Sequence, residues 1–294
     1  MYQPNFAPPG MQPAQNPPQR RTTWLRVLLI GIVLFIVTTI VMFWTNNSNL
    51  YPTVILIGNF LVPVTFVAFL YNHRHLSTLR LESVAICFVV GGILGVLGAS
   101  ILESLLLPHS ANPNQGIPLG SGLLVGFIEE GCKIAALMIL ARRMRHTSEM
   151  DGLLLGGAVG MGFAALESTG YAFTVFLLSH GVVGASVVET VIRGLLAPFG
   201  HGVWTGVLGA VLFRESSKTN HYRITPLVIV TYIAVSLLHG FWDGLPQTIF
   251  FVIPPGIPIS VTIIVLSIIG ISLLVFVFKR AEARQLQEIR ATTP

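Results

Sequence analysis

Residues 119–141 read Leu-Gly-Ser-Gly-Leu-Leu-Val-Gly-Phe-Ile-Glu-Glu-Gly-Cys-Lys-Ile-Ala-Ala-Leu-Met-Ile-Leu-Ala, and this stretch decides the fold. It is long enough to cross a bilayer, for which about 20 residues suffice. Glu129, Glu130 and Lys133 nevertheless stand at its middle. Each ionisable group at that depth costs roughly 2.5–3.5 kcal/mol on insertion scales before any partner relieves it. Nothing in a spanning helix requires that cost, so the cluster reads as a functional site and the chain around it as a membrane protein.

Composition agrees. Hydrophobic residues make up 53% of the chain and charged residues 10%, which excludes an ordinary soluble domain. Eight stretches are long enough to span: approximately 25–44, 52–71, 82–107, 119–141, 152–178, 185–213, 225–246 and 257–278. Residues 1–22 are rich in Pro and Gln and read as a disordered tail with no apolar signal segment. An eight-span domain is expected over 23–280, with a catalytic core at about 119–246 and a short tail over 281–294. Cys87 and Cys132 fall inside apolar runs, so no disulfide framework is expected.

The basic residues test this division independently. Arg20, Arg21 and Arg26 precede span one, and Arg74 and Arg80 flank the loop after span two. Arg142, Arg143 and Arg145 follow span four, Arg214, Lys218 and Arg223 follow span six, and Lys279, Arg280, Arg284 and Arg290 follow span eight. The loops after spans one, three, five and seven carry none. By the positive-inside rule both termini are cytoplasmic, which an odd number of spans would not allow. The net charge of +5 is mostly this topological signal and calls for no nucleic-acid partner. The fold class is thus all-α, a polytopic bundle of about eight membrane helices.

Depth follows from about 1.5 Å per helical residue. Glu129 and Glu130 come out about 17 Å from the cytoplasmic end of span four, Glu167 about 22 Å along span five and His201 about 18 Å along span six. His239 lies about 21 Å along span seven, with Asp243 one turn further out. Four consecutive helices therefore bring their rare polar residues into one slab, which unrelated buried polar residues would not do. Lys133 stands i+4 from Glu129 and i+3 from Glu130, so it reaches either acid. The two acids are about 100° apart around the axis, so one is expected to face the cavity while the other is held by the lysine. Phe163, Glu167 and Tyr171 share a stripe, and His239 and Asp243 form a further i,i+4 pair. Gly156 and Gly160, and Gly202 and Gly206, are GxxxG pairs that let helices approach closely. Pro198 is expected to kink span six beside His201.

These residues also resemble a known family. Glu129-Glu130-Gly-Cys-Lys133 matches an EExxK motif, and Gly162-Phe163-Ala-Ala-Leu-Glu167-Ser-Thr-Gly-Tyr171 a GFAxxExxxY motif. The stretch from Arg193 through Pro198, His201, Trp204 and Thr205 to Gly206 resembles a third motif, and His239-Gly-Phe-Trp-Asp243 a fourth. Together, over about residues 120–245, they resemble the PrsW family of intramembrane proteases, related to the CAAX prenyl endopeptidases. The resemblance implies a multi-pass protein of a bacterial cytoplasmic membrane that cuts a peptide bond of another membrane protein. In one branch that substrate is a single-pass anti-sigma factor cleaved to start a stress signal.

The chemistry is compatible with this. Amide hydrolysis needs a base for water, a proton for the leaving amine and support for the oxyanion. Glu129 or Glu130 is assigned the base, with His201 positioning water or moving the proton, and His239 with Asp243 supporting the oxyanion. Glu167 and Lys133 hold the cluster in register, and Arg193 either anchors substrate or pairs with Glu189. Zinc is the alternative cofactor, since His201, His239 and Glu130 would make a three-ligand site. No HExxH pairing is present, and a metal-free mechanism is favoured. A rival class, a proton- or ion-coupled transporter, would use the same midplane groups, but no inverted repeat supports it.

Overall fold

The computed structural model describes residues 22–73, 79–108, 117–144, 148–196, 199–217, 219, 221–245, 250–253 and 257–292. The helices are α1 (Thr23–Thr45), α2 (Tyr51–Asn72), α3 (Leu81–Ile86), α4 (Gly92–Leu106), α5 (Leu119–Ala141), α6 (Glu149–Leu178), α7 (Val183–Leu196), α8 (His201–Ser216), α9 (Pro226–Gly244) and α10 (Val261–Thr292). A π-helical turn, Cys87–Gly91, joins α3 and α4 into one continuous rod. Strands β1 (Phe250–Ile253) and β2 (Ile257–Ser260) form an antiparallel hairpin before α10.

Seven segments are long and apolar enough to cross a membrane, with α7 and α8 counting as one. A further helix, α5, has the length, 23 residues, but carries three ionisable side chains, all buried inside the bundle. The outer faces of α1, α4 and α10 expose Leu, Ile, Val and Phe, as helices in contact with lipid must. The chain is a multi-pass membrane protein.

Two helix pairs carry the site, and small residues make each pair possible. A Cβ on Gly156 would strike the Thr205 carbonyl, and one on Gly160 the His201 carbonyl, so α6 and α8 pack backbone to backbone. Gly126 of α5 lies in the same way against Ser236 and Gly240 of α9. Lipid supplies no hydrophobic drive for such pairing, so close van der Waals contact has to do it. Leu153, Leu154, Leu155, Met161, Trp204 and Phe213 fill the centre around α6 and α8.

The ends of the helices meet as the alternation of basic loops requires. At the end assigned to the cytoplasm, Glu149 opens α6 and is ion-paired with Arg280 and, at 3.2 Å, with Arg284 of α10. Arg214, in the last turn of α8, lies 4.0 Å from the same carboxylate. At the opposite end the Tyr51 hydroxyl of α2 and the Ser186 hydroxyl of α7 are 2.8 Å apart.

Two expectations change. The stretch 185–213 is two helices, α7 and α8, because α8 begins at His201 with Gly200 as its N-cap. Pro198, assigned the kink, lies outside the described residues, as do residues 1–21 of the expected tail. Residues 257–260 belong to β2, so the last helix starts at Val261, and it continues to Thr292 through most of the segment expected as a tail.

Candidate active site

Lys133 is the hub. Its Nζ donates to Glu129 Oε2 at 2.9 Å, to Glu130 Oε1 at 2.9 Å and to His201 Nδ1 at 2.8 Å. An ammonium has three protons, and all three are used. The Phe163 ring closes the fourth side, its centroid 3.9 Å from Nζ. The expected division, one acid free and one held, is therefore corrected. Lys133 holds both, because the bend of the α5 surface lets i+3 and i+4 carboxylates converge on one long side chain.

The two acids still differ. Glu130 is fully buried, and both of its oxygens are engaged. Oε1 meets Lys133 and, at 3.0 Å, His239 Nδ1, while Oε2 accepts from the Thr205 hydroxyl at 2.9 Å. Glu129 commits Oε2 to Lys133 and lies 3.7 Å from His201 Nδ1 and 3.4 Å from His239 Nε2.

These contacts assign the histidine tautomers. His201 Nδ1 faces an ammonium and must accept, so its proton is on Nε2, which lies 3.1 Å from Glu167 Oε2. His239 Nδ1 faces a carboxylate and must donate, which leaves a lone pair on Nε2. That Nε2 is buried, has no hydrogen-bond partner among the described residues, and lies 3.4 Å from both Glu129 Oε2 and Asp243 Oδ2. Three polar atoms of Glu129, His239 and Asp243 thus come close together inside the bundle.

The outer rim is built from α6 and α7. Arg193 closes α7, where a cation suits the helix C-terminus. It ion-pairs with Glu167 Oε2 at 2.9 Å, reaches the Ser168 hydroxyl at 3.3 Å and stacks 3.8 Å over the Tyr171 ring. The pairing with Glu189 is therefore replaced by a tertiary one. The stripe of Phe163, Glu167 and Tyr171 holds, each residue receiving a partner from the cluster. A cavity of about 60 Å³, room for little more than a water or two, opens between Ser168, Arg193, Leu196, Gly200, His201 and Trp242. All nine expected residues, Glu129, Glu130, Lys133, Glu167, Tyr171, Arg193, His201, His239 and Asp243, belong to this one connected network.

Two residues there had no role assigned from sequence. Thr205, at i+4 from His201, shares its helix face and could have been found by that spacing. Trp204 lies with its ring 4.7 Å from His239 at 31°, which only the tertiary structure reveals.

A metal fits the donor types but not their surroundings. Glu129, His201 and His239 each offer one ligand atom, all within 4.8 Å of one another, a set in which Glu129 replaces the expected Glu130. Carboxylate and imidazole donors are of the zinc kind. However, the Lys133 ammonium already lies within 2.9 Å of both Glu129 Oε2 and His201 Nδ1. A divalent ion would share these donors with a fixed positive charge, so with Lys133 in this position the residues do not fit one.

Comparison with known proteins follows the same residues. The model of the PrsW family, described as intramembrane metalloproteases, matches residues 80–276. The chain is similar to Protease PrsW of Bacillus subtilis (strain 168), 32% identical over 46% of this chain and 59% of the relative. Protease PrsW of Shouchella clausii (strain KSM-K16) is 25% identical over 60% of this chain and 75% of its own length. That of Clostridioides difficile (strain 630) is 23% identical over 53% and 63%. The first match thus spans less than two thirds of the Bacillus subtilis protein. No solved structure matches. The family model covers most of the chain and every helix that contributes to the buried cluster, and this chain belongs to the PrsW family.

Proposed function

We propose that the chain is an intramembrane endopeptidase that hydrolyses a peptide bond in another membrane protein with water activated by Glu129 and with no metal. The observation that carries this reading is the Lys133 ammonium, which bridges Glu129, Glu130 and His201, together with His239 Nε2, buried without a hydrogen-bond partner among the described residues and 3.4 Å from Glu129 Oε2. A water there lies between a carboxylate and an imidazole lone pair. Glu129 takes one proton as the water oxygen bonds to the scissile carbonyl carbon. The Asp243 carboxyl in its protonated form, 3.4 Å from the His239 Nε2 lone pair, holds the proton that donates to the oxyanion. As the tetrahedral intermediate collapses, the carbon–nitrogen bond breaks and the proton held by Glu129 passes to the leaving nitrogen. Glu130, Glu167 and Arg193 orient the two histidines.

The donor set Glu129, His201 and His239 supports a second reading, zinc-dependent hydrolysis, and so does the description of the family model. It requires Lys133 to withdraw. The proposed substrate class is a single-pass membrane protein, of which an anti-sigma factor is the instance suggested by family resemblance.

The test is mass spectrometry of membranes from cells carrying the wild-type chain or Glu129→Gln. An uncleaved single-pass protein should accumulate with the variant. Identical membrane proteomes at equal protein level would remove Glu129 from the chemistry.

A further inference from the structure

The hairpin that follows α9 takes no part in the chemistry proposed above, and its two edges are unlike. Its register is Phe250↔Ser260, Phe251↔Ile259, Val252↔Pro258 and Ile253↔Ile257. Antiparallel pairs alternate between those that exchange hydrogen bonds and those that do not. Pro258 has no N–H, so Val252↔Pro258 is a non-bonded pair, and the pairs on either side of it supply the hairpin's own bonds. The N–H and C=O of Val252 therefore point away from β2, to the outer edge of β1. On the outer edge of β2, Pro258 offers a carbonyl alone. Proline is one of the devices that blunt an open strand edge against pairing. The edge of β2 carries it and that of β1 does not. Val252 is moreover 57% exposed.

The hairpin is tied to the end of α9, the helix that carries His239 and Asp243. Thr262, two residues after β2, donates to the Leu245 carbonyl at 3.4 Å, holding the start of α10 on the end of α9. Leu245 is two residues beyond Asp243. The base of the hairpin, the pair Phe250↔Ser260, thus lies next to the contact that ties α10 to the end of α9, two residues from Asp243 of the cluster.

Hydrolysis within a membrane sets a requirement that this edge meets. In a helical substrate each peptide carbonyl is bonded to the N–H four residues on and is crowded by side chains, so water reaches it only after local unwinding. An unwound stretch at a water-poor site leaves its own N–H and C=O groups unsatisfied, at several kcal/mol each. A strand edge supplies their partners and holds the chain extended. We propose that the outer edge of β1, centred on Val252, binds the segment of a membrane-protein substrate that flanks the scissile bond as an added strand. The proposal rests on the protease reading.

The test uses purified full-length chain in liposomes and a panel of single-span reporter proteins tagged on both sides of the span. Val252→Pro deletes the outward N–H and leaves the hairpin's own bonds intact. It should lower kcat/KM on the cleaved reporters up to about ten-fold, the worth of one hydrogen bond. Val252→Thr keeps the N–H and should lose much less cleavage than Val252→Pro. Unchanged cleavage by Val252→Pro, or equal loss in both variants, would overturn the proposal. Where Val252→Pro does not stay monodisperse, cross-linking decides. Val252→Cys is placed in an inactive Glu129→Gln chain with Cys87 and Cys132 replaced by Ala, and single cysteines are walked along the reporter. Cross-links at every second position support an added strand; a spacing of three to four, or none, overturns it. A wild-type chain that cleaves no reporter overturns the protease reading, and this proposal with it.

Discussion

At the residue scale, the account turns on one buried ammonium with three acceptors. Replacing Lys133 by Met keeps much of the volume and removes the charge, leaving Glu129 and Glu130 buried without a cation. Breaking a buried pair in this way costs about 3–5 kcal/mol. Lys133→Met should therefore lower thermal stability in detergent as well as abolish hydrolysis. A variant as stable as the wild type would show that the ion pairs contribute nothing to the fold. The acids should separate more finely. Glu129→Gln removes the base and should stop turnover with little loss of stability. Glu130→Gln disturbs bonds to Lys133, His239 and Thr205 and should lower both. Thermal melting and reporter cleavage, measured together, read the difference. Membership of the cluster was legible because ionisable residues at bilayer depth are rare. Partner choice was not, since spacing sees only neighbours on one helix. Arg193 could be offered Glu189 four residues away, whereas its partner Glu167 comes from another helix.

At the scale of elements, the GxxxG spacings on α6 and α8 foretold a close contact, and the structure shows what it positions. Gly160 lies against the carbonyl of His201, the first residue of α8, so any side chain there displaces the histidine it supports. Gly160→Ala should cost about 1–3 kcal/mol through overpacking. It should also slow cleavage more than an alanine at Gly170, where a Cβ meets nothing. Equal activity in the two variants would detach helix packing from the site. The hairpin was not legible. Its apolar residues run into those of the last helix, and period-2 alternation is absent from strands of four residues, so the whole segment reads as the start of a span. The division of α7 from α8 was only half visible, as a proline whose effect on a spanning helix cannot be told from a mild kink.

At the scale of the whole molecule, a multi-pass helical bundle was readable from apolar length, and charge in the loops predicts its orientation independently. The clamp that Arg280 and Arg284 place on Glu149 was not, since it joins residues more than a hundred positions apart. A reporter fused after residue 112 should read external and one after residue 218 cytoplasmic; the reverse pattern would invert every depth assigned here. The central claim, that a carboxylate rather than a metal activates the water, is tested most directly by one assay. Purified chain is stripped with a strong chelator, its metal content is measured, and cleavage of a single-span reporter is followed before and after. The account predicts unchanged cleavage without bound zinc, and no cleavage by Glu129→Gln under the same conditions. Stoichiometric zinc, with activity lost on chelation and restored by adding the ion back, would contradict it.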